Sequence, residues 1–342
     1  MANAITPSPA LAGGSTPKAL NGGGGTAAWL PDGRLHLQQG PIDLICFAEG
    51  PAAREALHAA QTVFVGVLDT LVSELPLLRV PAGAEPAPVR GPVAQRMVAA
   101  VHPHRARFIT PMAAVAGSVA DHVLHAMRAA GPLARAYVNN GGDIAVHVAP
   151  GFVPPPQPSP ASQGREPLPP LQAKRSGGFN AEGVGPGWGR VDENALTIGL
   201  VRSLSRATPE GSILVTPDMN IGGIATSGWP GRSFSLGIAE AVTVLARDAA
   251  TADAAATAIA NAVNAEHPAI RRAPAASLDP DSDLGARLVT TDVGALPAEV
   301  IEAALDAGFA EAERLRRAGL VVAALLCCQE RFRVCGPLAV TR

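Results

Sequence analysis

The chain has 342 residues, a formal net charge of −2 and an apolar fraction of 47%, with only 4% aromatic residues. This length supports a large core in one domain or two. The near-neutral charge, without a Lys/Arg cluster, argues against a nucleic-acid or anionic-membrane partner. The four cysteines, Cys46, Cys327, Cys328 and Cys335, lack zinc-site spacing and read as reduced, buried thiols. No basic-then-apolar leader and no run of membrane-spanning length is found, so a cytoplasmic location is expected.

Residues 1–28, rich in Gly, Ala, Ser and Pro, are expected to form a disordered tail, followed by a single domain over 29–342. From Trp29 a hairpin is expected around Pro31-Asp32-Gly33, and residues 42–48 read as a third strand. Pro51 opens a helix expected to run to about residue 75, where Pro76 stops it. A shorter helix covers about 93–101. Residues 107–110 read as short β-structure. Pro111 opens a small-residue helix over 112–130, closed by Gly131 and Pro132. Strands then flank the loop Asn139-Asn140-Gly141-Gly142-Asp143.

Residues 150–190 are so rich in Pro and Gly that they read as an insertion or flap. Beyond it, strands are expected at 195–201, 212–215, 223–226 and 241–246. Asp248 starts an Ala-rich helix to about residue 263. Residues 287–293 read as a strand, and Pro297 opens a helix to about residue 317. Residues 320–328 and 332–335 form a terminal hairpin, with Cys327 and Cys328 pointing to opposite faces. Hairpins with long helices, and no regular βαβ alternation, indicate an α+β fold with mixed or antiparallel sheets and long packed helices.

Three segments could carry chemistry. In Asn139-Asn140-Gly141-Gly142-Asp143 the glycines permit close backbone approach and positive φ, and the amides and carboxylate offer polar contacts. Thr226-Ser227-Gly228 offers hydroxyls and loop N–H groups suited to phosphate or a heterocycle edge. Asp253 and Thr257, four apart on a predicted helix, share a face and suit a hard cation such as Mg²⁺. Each also has an ordinary reading. The first two can be plain turns, and Thr257 can bond back into its own helix. Asp253 can simply favour the helix N-terminus. The eight histidines include His122 and His125 beside Asp121, but there is no HExxH and that pair lacks a third ligand.

Taken in order, four segments resemble the ApbE superfamily, whose best-known members are Mg²⁺-dependent FAD:protein FMN transferases. They are Ala113-Ala114-Val115-Ala116-Gly117-Ser118-Val119-Ala120-Asp121, Val138-Asn139-Asn140-Gly141-Gly142-Asp143-Ile144, Ala225-Thr226-Ser227-Gly228 and Ala252-Asp253-Ala254-Ala255-Ala256-Thr257. The stretch Phe108-Ile109-Thr110-Pro111-Met112-Ala113 is similar to a poorly characterised ApbE-like family of cytosolic bacterial and archaeal proteins. The resemblance implies an ApbE-like fold and a Mg²⁺ ion held by Asp253 and Thr257, joined by a backbone oxygen near Ala113. It also implies that Asn139, Asn140, Gly141, Gly142, Asp143, Thr226, Ser227 and Gly228 line a pocket for FAD or FMN.

The chain departs from the transferases at two places. Ala116 stands where they carry a Lys, and the stretch Arg232-Ser233-Phe234-Ser235-Leu236-Gly237 has no counterpart of their His. FMN transfer or FAD hydrolysis is one reading. The other is a non-catalytic accessory or maturation protein for a redox or sulfur-metabolism enzyme, with that enzyme as partner. The oligomeric state is open, with a homodimer among the options.

Overall fold

The computed structural model describes residues 17–20, 24–150, 195–200 and 211–338. All of the expected 150–190 insertion except Pro150 lies outside the described residues. The chain enters the sheet inside the stretch expected as a tail, since β1 (Lys18–Ala19) and β2 (Thr26–Trp29) pair antiparallel. A meander follows through β3 (Leu35–Gln39) and β4 (Ile42–Glu49). Period-two alternation drives it: Leu35, Leu37, Ile42, Leu44 and Cys46 all point into the core.

The single helix expected from Pro51 is broken into α1 (Ala53–Phe64) and α2 (Val67–Leu78). Between them Gly66 takes φ +83°, which a helix cannot continue through. Pro76 lies in the last turn of α2 and does not stop it there. Loss of one donor that late is tolerated because Leu78 is fully buried and anchors the end. No single described helix is long and apolar enough to cross a membrane; α1 and α2 pass that test only as a pair, bent by 46°.

The helix α3 (Pro92–Val101) forms as expected, with Pro92 in its first turn. Residues 107–110 are not a strand. Thr110 is extended and leads into a 3-10 turn, Pro111–Ala114. The small-residue helix, α4 (Val115–Ala129), therefore starts later than residue 112.

Next come β5 (Arg135–Asn140) and β6 (Asp143–Val148), then a separate hairpin of β7 (Leu196–Leu200) and β8 (Gly211–Val215). β9 (Gly223–Ser227) and β10 (Ala241–Ala246) return to the main sheet. α5 (Ala249–Ala262) is capped by Asp248, whose side chain accepts from Thr251 N at 2.7 Å. β11 (Ile270–Pro274), with Arg271 and Arg272 inside it, carries no apolar alternation and escapes a sequence reading. It pairs with β12 (Leu288–Val293), on either side of the short helix α6 (Ala275–Leu278). α7 (Ala298–Arg317), β13 (Ala323–Cys328) and β14 (Arg331–Cys335) complete the chain, with Gln329 and Glu330 at positive φ in the last turn.

The main sheet has ten strands in the order β1-β2-β3-β4-β5-β6-β9-β10-β13-β14, all pairs antiparallel. The fold class is therefore α+β. In one half, α1 to α4 cover the inner face of β3 to β5 around Phe64, Met97 and Met127. In the other half, α5 and α7 cover β9, β10 and β13. The β7–β8 hairpin shields the opposite face, where Ile213 and Val215 meet Ala241, Leu245 and Cys327. Cys327 and Cys328 do face opposite sides, each into a different cluster. All four cysteines are buried, and burial pushes the Cys46 thiol up to about 12. The sheet centre, where β5, β6 and β9 meet α4 and α5, is where the sequence motifs converge.

Candidate functional site

The Gly-Gly loop is a two-residue hairpin turn. Asn140 pairs with Asp143 across it, and Gly141 and Gly142 take φ +65° and +117°. Only glycine adopts both values without strain, so this turn fixes the register that places Asp143 first in β6. Asn139 serves the turn itself, its Oδ1 accepting from Gly142 N at 2.8 Å. Asn140 ties the turn to α4, its Nδ2 donating to Ala116 O at 3.1 Å. Asp143 reaches the next strand, where Thr226 N donates to its Oδ1 at 3.2 Å.

The first turns of α4 and α5 cap one another. Asp253 of α5 accepts from Gly117 N at 3.0 Å. Asp121 of α4 accepts from Ala249 N at 3.0 Å and Ala250 N at 2.8 Å. Each carboxylate satisfies helix N-terminal donors that have no intrahelical partner. Such proximity needs bare backbone: a Cβ on Gly117 would lie 2.2 Å from Ala249 O, and one on Gly223 would lie 2.1 Å from Ala249 N. Gly228 has a similar task against Glu240 O, at 2.4 Å.

These contacts set Asp143 near enough to Asp253 for the charge of one to act on the other. Both are enclosed by protein yet partly open to solvent. Burial pushes the Asp143 carboxyl up to about 7, against the Thr226 N–H bond and the Arg232 charge, which pull it down. Burial also raises Asp253 well above the ordinary carboxylate range, and the neighbouring Asp143 adds to that rise. Asp121 is lifted to about 6 by burial, despite its two N–H donors. A proton or a cation shared between them would relieve the repulsion that Asp143 exerts on Asp253.

Thr257 lies one turn along α5 from Asp253 and is partly accessible. Thr62 and Thr70 donate to the carbonyl four residues earlier, but no such bond commits Thr257 among the described residues. Asn261, a further turn on, holds the loop after Thr226-Ser227-Gly228: its Oδ1 accepts from Leu236 N at 2.9 Å and Ser235 Oγ at 3.2 Å. One face of α5 thus carries Asp253, Thr257 and Asn261. Ala113 packs beside Ala250 and Ala254, in the 3-10 turn before α4. Ser227 ends β9, opposite Val242.

The donor set suits a hard divalent cation, which takes few protein oxygens and keeps water or phosphate in the rest of its shell. Asp143, Asp253 and Thr257 would supply those oxygens. Among the described residues no three His, Cys, Asp or Glu side chains gather as a metal site, so the His122 and His125 pair gains no third ligand. Two buried polar atoms beside the pocket segments, Ser118 Oγ and Trp229 Nε1, have no hydrogen-bond partner. Sequence reasoning missed Asp143 as the partner of Asp253, the cap made by Asp121, and Asn261. Only Asn261 left a signal, the four-residue spacing from Thr257.

The fold and the pocket define an α+β protein with a two-carboxylate site between a hairpin turn and two mutually capped helices. The chain belongs to the family whose model is described as AbpE bacteria, which matches residues 27–152 and 190–334. It is also similar to archaeal proteins named UPF0280 protein. The one from Methanothrix thermoacetophila is 32% identical over 209 residues, 61% of this chain and 67% of that protein. That from Methanosarcina acetivorans is 27% identical over 229 residues, 67% of this chain and 72% of that protein. A third, from Methanothermobacter thermautotrophicus, is 30% identical over 175 residues, 51% of this chain and 50% of that protein.

Proposed function

We propose that the protein binds a flavin nucleotide, FAD or FMN, through a Mg²⁺ ion held by Asp253, Thr257 and Asp143. The observation that carries the cation is the fixed placing of Asp143 by Thr226 N and of Asp253 by Gly117 N, with Thr257 on the same face of α5 as Asp253 and the Asp143 charge acting on Asp253. A divalent ion removes the repulsion that otherwise holds a proton there. Bound Mg²⁺ would supply charge neutralisation for a phosphate or pyrophosphate. The Gly141-Gly142 turn opens β6 and the Thr226-Ser227-Gly228 segment closes its neighbour β9, so the two would form adjoining walls of a ligand site. Flavin, as against another nucleotide, rests on the resemblance to the ApbE transferases.

Binding is the core of the proposal, and FMN transfer or FAD hydrolysis is its further step. The absence of a His over residues 232–237 favours the accessory reading, in which the pocket holds flavin without turning it over. One experiment separates these. Ligand-stripped protein is titrated with FAD, with and without Mg²⁺, and the mixture is assayed for FMN and AMP. Mg²⁺-dependent binding with product supports an enzyme, and the same binding without product supports the accessory protein. No binding under either condition overturns the flavin proposal.

A further inference from the structure

We propose that Arg232 is a phosphate-clamping residue, its guanidinium seated on the Gly141-Gly142 turn to take an anionic oxygen of the nucleotide at the mouth of the pocket. The inference rests on the cation and nucleotide reading above and adds a residue and a ligand group to it.

The evidence begins with where the side chain lies. Arg232 follows the Thr226-Ser227-Gly228 segment, yet its Nη2 donates to Gly141 O on the other wall of the pocket. That bond is 3.5 Å long, at the outer limit of hydrogen bonding. A Cβ on Gly141 would meet Nη2 at 1.8 Å and Cζ at 3.0 Å. The guanidinium therefore occupies the room that a side chain at 141 would need. The positive φ is what requires glycine at 141; the guanidinium lies over the space that its missing side chain leaves.

The residue is exposed, so the donors that Gly141 does not use face solvent and are open to a ligand. A guanidinium carries five N–H donors, and one long bond uses one of them. Several other arginines find carboxylates: Arg135 pairs with Glu49, Arg272 with Glu266, and Arg333 with Glu302 and Asp306. Arg232 makes no ion pair among the described residues, although its charge acts on Asp143. Its backbone is braced on both sides, by Gly231 N donating to Gly228 O at 3.1 Å and by Asn261 holding Ser235 and Leu236.

Charge balance then points to the ligand. Asp143 and Asp253 together carry two negative charges when ionised, which a divalent ion neutralises. Arg232 adds a positive charge on the hairpin side, where it acts on Asp143, while the Asp121 charge acts on Asp253. A phosphate bracketed by a divalent ion and a guanidinium is the complementary group, and charge-assisted bonds from a planar fork hold it well.

The test uses the full chain in Mg²⁺ with three probes: inorganic pyrophosphate, FAD and riboflavin. The variants are Arg232→Gln and Arg232→Lys, each checked by thermal unfolding. Arg232→Gln is expected to weaken pyrophosphate and FAD by about 10- to 100-fold, the worth of a charge-assisted hydrogen bond. Riboflavin binding stays unchanged, and Arg232→Lys recovers part of the loss. Equal pyrophosphate affinity in wild type and Arg232→Gln overturns the proposal. So does a loss shared by riboflavin, which would mark a structural role, and so does a wild type that ignores pyrophosphate. Should wild type bind pyrophosphate in an Arg232-dependent way but not FAD or riboflavin, the flavin reading fails while the phosphate clamp stands.

Discussion

At Asp253 one carboxylate both caps α4 and faces Asp143, and substitution separates the two tasks. Asp253→Asn keeps an oxygen to accept from Gly117 N while removing the charge. Its stability is expected to stay within about 1 kcal/mol of wild type while Mg²⁺-dependent ligand binding falls at least about tenfold. Asp253→Ala loses the cap as well and is expected to cost about 1–2 kcal/mol in urea unfolding. Equal Mg²⁺ affinity in wild type and Asp253→Asn would remove Asp253 from the cation site. The pairing of Asp253 with Thr257 was legible because both sit on one helix at a fixed spacing. Its pairing with Asp143 was not, because the two are joined only through the contact of a hairpin with two helix ends. Arg232 is hidden for the same reason: a long side chain crosses from one loop to another, and periodicity says nothing about that.

The helices α4 and α5 form the element on which the pocket depends. Gly117→Ala places a methyl against the Ala249 carbonyl, so one helix must move away from the other. A loss of about 1–3 kcal/mol is expected, with weakened ligand binding, because Asp253 and Asp143 would no longer meet in register. Denaturant unfolding of Gly117→Ala beside wild type checks it, and unchanged stability would show that the contact is soft. Helix existence was legible along the chain from Pro starts, Gly stops and the Asp248 cap. Helix boundaries were less so. The break at Gly66 depends on a backbone angle that the apolar pattern does not encode, and Pro76 was overruled by the burial of Leu78. β11 was missed because a two-stranded ribbon with two arginines in its middle shows no apolar alternation.

Across the whole molecule, the hairpin pattern revealed an α+β fold with mixed or antiparallel sheets, but not the strand order that sets β6 beside β9. That order brings the two halves of the chain together at the pocket. The helix layer closes around His104, which is 4% exposed and has no partner at either ring nitrogen. Burial pushes its pKa down to about 4, with Glu311 opposing and Arg314 adding to the fall. The ring stays neutral in the folded chain while the unfolded chain takes a proton near 6.5. Its contribution is therefore present above pH 6.5 and lost as pH falls toward 4, by up to about 3 kcal/mol. His104→Phe is expected to flatten that part of the stability profile; a wild-type curve with no decline between pH 6.5 and 4 would contradict it. The most direct measurement concerns the paired carboxylates at the sheet centre. Mn²⁺, as a stand-in for Mg²⁺, is titrated by electron paramagnetic resonance into wild type, Asp143→Asn and Asp253→Asn. One saturable site in wild type, displaced by Mg²⁺ and weakened at least about tenfold in each variant, is the expected result. Equal Mn²⁺ binding in all three proteins, or none in wild type with pyrophosphate present, would contradict a divalent-cation site at Asp143 and Asp253.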